Sequence, residues 1–526
     1  MLLPKDLDLP KKFTKWRPNQ YEAIVSIKDS KNFAYLLDAP TGVGKSLIGI
    51  AAHKMLKKRT IYITRTKQLQ DQLLNDFPEI VKTVKGRENY PCARALKGLG
   101  VTAAECTNTK SNPCELKDVC EYYIAKAEAL ASPIVVLNSS YYLTEVNGPA
   151  YFDGAELLII DEVDSIEGDL MSYIQFEISS KQLERFGIAP PLKPDKLQFW
   201  ANWLTDTKPA LNARISSLRK VLEETDIKYW TPKELGMAKT GTRLERLRDK
   251  VNFLNNEFNE ENWIFGYKTE KGEWQCSFKP IMVDRYSERF LWKHCRNVLG
   301  MSATIFTPKT VARNIGLEDY EYSSLTSPFP VENRRIYYCP TANLTKRTMN
   351  EELPKLLEGV INIINKYPSN KILIHTVSYK VRDYLLENLP KGRITIHSRE
   401  DRTDKLNEFK DSLEPLVMLS PSFDRGVNLP HDECRVIVIC KIPYLDLGDA
   451  QIKKRVLLPG GWEWYAVKAA QTLVQMSGRA VRSSTDHCDT YILDKQFGRF
   501  SVRMMNVLPN WWLNAVAREE NLLNAK

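Results

Sequence analysis

The sequence predicts an α/β protein with two parallel-sheet cores, and three observations carry that reading. Short apolar, β-branched runs alternate with amphipathic stretches. The pattern occurs twice along 526 residues, and one early run opens into a glycine-rich turn followed by a helix. Near-continuous apolar strands are what a parallel sheet covered on both faces requires, because neither face meets water. The chain is also longer than one typical domain.

In the first half, "NFAYLLDAP", "RTIYIT", "SPIVVLN", "AELLIID" and "RNVLGMSAT" read as strands; in the second, "KILIHT", "RITIH", "PLVMLS", "CRVIVICKI" and "DTYILD" do so. Stretches such as "GKSLIGIAAHKMLKK" and "TKQLQDQLLNDF" read as the helices between them. The first core, residues 1–325, is interrupted twice. Residues 165–279 carry helical periodicity, as in "ANWLTDTKPALNARISSLRKVLEE" and "TRLERLRDKVNFLNNEFNEEN", and predict a mainly helical insertion. Residues 86–130 form a smaller insertion around four cysteines, and the second core spans 326–526. No short-period repeat or low-complexity tract is evident.

With 43% hydrophobic and 27% charged residues, the composition is that of a globular protein. No apolar run approaches the roughly 18 residues that span a bilayer, so no membrane partner is expected. The start, "MLLPKDLDLPKK", reaches acids and lysines too soon for a signal-peptide core. The expectation is a cytoplasmic protein, in which disulfides are disfavoured and clustered cysteines point to metal or redox chemistry. A net charge of +10 suits a polyanionic partner without specifying one.

The motif "LLDAPTGVGKS" runs from a strand through a glycine-rich turn into a helix. Thr41, Gly42, Val43 and Gly44 form a loop whose backbone N–H groups can close around phosphates, with the glycines free to adopt the necessary backbone. Lys45 would place a point charge on the β- and γ-phosphates of ATP, and the Ser46 hydroxyl would ligate Mg²⁺. Ala39 stands where the general pattern has a glycine. In "LLIIDEVD" a buried strand ends in acids: Asp161 would hold Mg²⁺ through water, and Glu162 would orient or deprotonate the attacking water. In "QMSGRAVRS", Arg479 and Arg482 lie three apart on one helix face and can point at a phosphate held by the other core, although a solvated basic face has the same local signature. Ser302 and Thr304 of "GMSATI" end a strand and can bond the acids, as could the hydroxyls of an ordinary turn.

Four of the ten cysteines, Cys92, Cys106, Cys114 and Cys120, fall within 29 residues, spaced C-x13-C-x7-C-x5-C. There is no C-x2-C pair of the kind most zinc ribbons use. An iron–sulfur cluster, a four-cysteine zinc site and unliganded thiols all remain open from the spacing.

In combination and in order, these residues resemble the XPD/DinG-like, iron–sulfur-containing helicases of superfamily 2. "RPNQYEAI" looks like the family's start, with Gln20 at the adenine-reading position. "APTGVGKS" resembles motif I and "TRTKQLQDQ" motif Ia. "KGRENYPC" looks like the beginning of the iron–sulfur module, and "VLNSSYYL" like the segment before motif II. "DEVD" resembles motif II, with Asp164 where relatives usually have histidine. "GMSATI" resembles motif III, with "SPFPVENRR" after it, and "ILIHTVSY" motif IV. "SPSFDRGVNLP" resembles motif V, with Arg425 and Asn428 where relatives often carry acids. "QMSGRAVR" resembles motif VI, and "LPNWW" the family's end.

The resemblance implies two RecA-like motor domains, an Arch-like helical insertion, and a [4Fe-4S] cluster on the four cysteines at the point of strand separation. It implies an ATP-dependent DNA helicase that tracks on single-stranded DNA, 5′ to 3′, and opens forked duplex DNA. It also assigns Gln475, Arg479 and Arg482 to the catalytic set, Ser302, Thr304 and Gly426 to coupling, and Thr66 and Thr376 to nucleic-acid contacts. The alternative class is a nucleic-acid-stimulated translocase that remodels protein–nucleic acid or RNA complexes without processive unwinding.

Overall fold

The computed structural model describes residues 1–95, 98–106, 114–398, 400–423, 427–481, 483 and 485–519. The first core is a seven-stranded parallel sheet. Its strands are β1 (Ala34–Asp38), β2 (Thr60–Thr64), β3 (Lys82–Thr83), β4 (Ile134–Asn138) and β5 (Leu157–Asp161), then, after the large insertion, β9 (Val298–Ser302) and β10 (Tyr320–Ser324). They lie in the order β10-β1-β9-β5-β2-β4-β3. Strands β1, β2, β5 and β9 are buried at every position, which is why they read as unbroken apolar runs. Side chains still alternate between the two faces. Ala34 and Leu36 pack on one side with Ile61, Ile63 and Ile160, while Tyr35 and Leu37 pack on the other with Tyr62, Ile159 and Leu299.

The insertion after β5 is mostly helical but also contains strands that helical periodicity did not foretell. Helices Leu197–Glu223 and Pro232–Glu257 pair through Leu211, Ile215 and Leu218 against Leu244, Leu247 and Val251. Beneath them β6 (Phe176–Ser179), β7 (Trp263–Glu270) and β8 (Glu273–Pro280) form an antiparallel sheet in the order β6-β8-β7. Lys271 and Gly272, with φ of 51° and 82°, make the two-residue turn between β7 and β8. That backbone matches the twist of a hairpin, so the dipeptide was the available signal.

Among the described residues, the apolar side chains of the cysteine segment belong to clusters shared with neighbouring elements. Pro91 and Thr102 form an isolated antiparallel bridge, and the Cys92 N–H donates to Val101 O at 3.0 Å. Val101 then packs with Leu222, Ile227, Trp230 and Leu235 of the helical insertion, and Arg94 pairs with Asp226 at 3.1 Å.

The second core repeats the plan with β11 (Ile336–Ala342), β12 (Ile372–His375), β13 (Ile394–Ile396), β14 (Val417–Ser420), β15 (Val436–Ile439), β16 (Asp489–Asp494) and β17 (Val516–Arg518). All are parallel, in the order β13-β14-β12-β15-β16-β11-β17. Among the described residues no helix is long and apolar enough to cross a membrane.

Candidate active site

Register gathers the candidate residues of the first core. Asp38 at the end of β1 lies opposite Ser302 at the end of β9, and Asp161 at the end of β5 lies opposite Met301. Three loops therefore leave the sheet side by side at its carboxyl edge, where open α/β sheets bind ligands.

Thr41–Gly44 turns directly into helix Lys45–Leu56. Gly42 and Gly44 have φ of 82° and 91°, a region that L side chains rarely adopt. Crowding adds to this: a Cβ on Gly42 would strike the Phe329 ring, and one on Gly44 would sit 2.7 Å from Gln20 Nε2. Gln20 is almost fully buried and braces the loop, donating from Nε2 to Val43 O at 2.6 Å and accepting from the Arg17 N–H at 2.7 Å. The backbone N–H groups at the start of the helix, with Lys45, form a cradle suited to phosphate.

Glu162 follows β5 with φ 58° and ψ 51°, a strained conformation for this residue type and one that clusters at functional sites. Its carboxylate joins the two cores. Lys45 Nζ lies 2.9 Å from Oε1, and Gln475 of the second core donates to Oε2 at 2.9 Å. Gln475 also donates to Thr304 Oγ1 at 2.9 Å. Ser302 and Thr304 in turn donate to the Asp164 carboxylate at 2.7 and 3.1 Å. Asp164 thus receives both hydroxyls of the third motif.

Asp161 is buried beside this network, and its Oδ1 has no hydrogen-bond partner. Burial pushes its pKa up to about 6; Lys45 opposes that rise and Glu162 adds to it. An orphaned carboxylate oxygen at the foot of a phosphate cradle fits a divalent cation, with Ser46 at the start of the same helix as second ligand.

Asp38 is a second buried acid here, and the sequence reading passed over it. The Phe306 N–H donates to its Oδ2 at 3.0 Å, while Oδ1 is unpaired. Burial pushes its pKa up to about 6, against the pull of the Phe306 N–H and Lys45. A folded-state pKa above the unfolded value makes the ionised form destabilising at pH above about 6, and that penalty disappears as the pH falls toward 4. Asp38→Asn keeps an acceptor for Phe306 and removes the charge. The variant is expected to be more stable in thermal unfolding at pH 7.5, by on the order of 2–3 kcal/mol. The gain should shrink at pH 5; an equal gain at both pH values would contradict this origin.

The other candidates are placed as follows. Arg479 lies beyond the end of helix Gly461–Ser477 and so not on the helix face expected from the sequence; it is buried within the second core, donating to Val427 O at 3.2 Å and standing beside His375, whose imidazole burial pushes down to about 3. Gly478 begins the turn that faces the phosphate loop, since a Cβ there would lie 3.1 Å from Thr41 Oγ1. Thr66 caps helix Lys67–Asp76, accepting from the Leu69 N–H at 3.3 Å, and Thr376 is fully buried. Gly426 and Arg482 lie outside the described residues. Cys92, Cys106, Cys114 and Cys120 line a single cavity, closed by Ala103, Leu116 and Tyr123. None is in a disulfide. Among the described residues no three metal-ligating side chains are already gathered as a metal shell. Four thiols around one cavity, with Arg94 against Cys114, are a donor set that fits a cluster or a thiolate-bound metal.

Sequence reasoning missed Lys468 and Gln471, although the signal was present. They precede Gln475 on helix Gly461–Ser477 at intervals of three and four, which puts all three on one face. Lys468 Nζ reaches Asp164 O at 3.1 Å, and Gln471 Nε2 reaches Thr304 O at 2.7 Å.

The chain is similar to known proteins in sequence and fold. Residues 17–194 match the DEAD/DEAH box helicase family and residues 360–515 the helicase C-terminal domain. A probable ATP-dependent helicase of Methanocaldococcus jannaschii is 23% identical, with 91% of each chain covered. The ATP-dependent DNA helicase YoaA of Escherichia coli is 22% identical over 92% of each. The solved "XPD_Helicase" structure superposes with a TM-score of 0.62 at 16% identity, covering 95% of this chain and 98% of that one. With both halves matched in this order, the chain is an ATP hydrolase of the helicase class. The likeness to YoaA and to the XPD fold supports an XPD/DinG-like helicase of superfamily 2.

Proposed function

We propose that the protein is an ATP-dependent DNA helicase that moves 5′ to 3′ on single-stranded DNA and separates forked duplex at its cysteine module. The observation that carries the reading is the pair of 2.9 Å contacts on Glu162, one from Lys45 of the first core and one from Gln475 of the second. ATP phosphates entering the cradle compete with Glu162 for Lys45, which leaves the carboxylate to accept a proton from water. Ser46 and the unpaired Asp161 oxygen would hold Mg²⁺, which would supply charge shielding for the phosphates. Gln475 orients Glu162 only while the cores are together, so hydrolysis is tied to the cores' relative position, and Arg479 lies just beyond the end of the same helix. A [4Fe-4S] cluster on Cys92, Cys106, Cys114 and Cys120 would supply the ligand bonds that fold the module. The DNA substrate is supported by likeness to the named DNA helicases, and the polarity rests on the family resemblance of the motifs.

The test is ATP turnover with and without single-stranded DNA or RNA, together with unwinding of duplexes carrying a 5′ or 3′ tail. Stimulation by DNA and opening of the 5′-tailed fork are expected. Affinity for the strand should fall with salt, with a log–log slope of about −0.7 per phosphate neutralised. Turnover indifferent to any polynucleotide would sink the reading, and stimulation without unwinding would favour a translocase.

A further inference from the structure

The helix that follows the second motif carries a buried acid with no place in the chemistry above. Glu167 lies near the start of helix Ile166–Ile174, five residues after Glu162, and is 5% exposed. Two cations of the second core converge on it. Arg455, from helix Ala450–Val456, pairs with its Oε1, and Lys468 Nζ lies 2.9 Å from Oε2. Each cation makes further contacts. Arg455 Nη2 donates to Asn314 of the first core at 2.9 Å, its guanidinium lies 3.9 Å from the centre of the Trp464 ring, and Lys468 donates to Asp164 O. Burial alone would raise the pKa of Glu167, but Lys468 and Arg455 together hold it below the ordinary carboxylate range.

A buried ion trio is a poor way to glue two surfaces together, since desolvation offsets most of the Coulomb gain and a well-packed apolar contact does as well. What it supplies is direction, because each donor has one acceptor at one distance. Along the same helix face Lys468 meets Asp164, Gln471 meets Thr304, and Gln475 meets Glu162. The trio anchors the first of these three contacts.

We propose that Glu167, with Arg455 and Lys468, is a positioning site: an ionic pivot between the motor cores that sets the register of helix Gly461–Ser477 and so holds Gln475 on Glu162. It rests on the reading that Glu162 and Gln475 act in hydrolysis. Glu167 itself touches no nucleotide. Its loss therefore acts on turnover and spares nucleotide affinity.

The experiment is a double-mutant cycle on the full chain with saturating single-stranded DNA. Glu167→Gln is expected to lower kcat about 10- to 100-fold, the scale of a misplacement of about 1 Å, with the Kd for a fluorescent ATP analogue changed less than about twofold. Gln475→Ala should also lower kcat. Adding Glu167→Gln to Gln475→Ala should lower it little further, because the first change acts through the second residue. Lys468→Gln, at a partly exposed position, should repeat the kcat loss and guards against a folding failure of the Glu167 variant. Additive losses, wild-type turnover in the Glu167 and Lys468 variants, or a parallel loss of ATP affinity would each overturn the pivot. If Gln475→Ala alone turns over like wild type, the Gln475–Glu162 reading falls and the pivot falls with it.

Discussion

Glu162→Gln is expected to bind ATP and fail to hydrolyse it. The carboxylate accepts from Lys45 on one oxygen and from Gln475 on the other. An amide can accept on one side only, so one of these contacts is lost and no proton acceptor remains for water. Turnover should fall by about 10²–10⁴, the range of a lost general base. ATP binding should survive, because the amide competes less well than a carboxylate for the Lys45 ammonium and leaves it to the phosphates. Lys45→Ala should fail differently, losing affinity and turnover together, since its charge acts on the phosphates in the ground state. A titration with a fluorescent ATP analogue beside a turnover assay separates the two. Wild-type hydrolysis by Glu162→Gln would show that the acid at the end of β5 has been misassigned.

Cys114→Ser is expected to abolish unwinding while leaving Mg²⁺-dependent ATP binding largely intact. The four cysteines line one cavity in a segment whose Val101 packs with Leu222, Ile227, Trp230 and Leu235 of the helical insertion and whose Ala103 packs into the first core. Ligand bonds would have to supply much of such a module's folding energy. Removing one thiolate should release the iron and its colour, and loosen the contacts to the helical insertion, including Arg94 with Asp226. Lys45, Asp161 and Glu162 share none of these contacts, so the cradle should persist. One preparation assayed for iron, for ATP binding and for forked-duplex unwinding decides the matter. An iron-free variant that still unwinds would refute the role, and a wild-type protein carrying stoichiometric zinc and no iron would refute the cluster.

Much of the site was legible because phosphate chemistry admits few solutions. A loop from Thr41 to Ser46 between a strand and a helix, and acids closing a second strand, have local signatures that survive without any fold. The strands were legible for a similar reason: burial on both faces leaves unbroken apolar runs such as "LLIID". The hairpin of β7 and β8 was less so, because its one solvated face mixes charges with aromatics, and only Lys271–Gly272 betrayed it.

Sequence alone therefore determined the two parallel cores, their order, and the residues of the candidate phosphate cradle, because each is written within a few adjacent residues. Tertiary structure alone decided which of them touch. The Lys45–Glu162–Gln475 chain joins residues 117 and 313 positions apart, and Asp164 gathers Ser302 and Thr304 across 138 and 140. It also decided that Asp38 is buried with an unpaired oxygen, that the cysteine segment leans on the helical insertion, and that Glu167 meets two cations of the other core. The physical reason is that such contacts depend on strand register and on how two cores pack, quantities that a linear pattern of residue types does not encode at any one position.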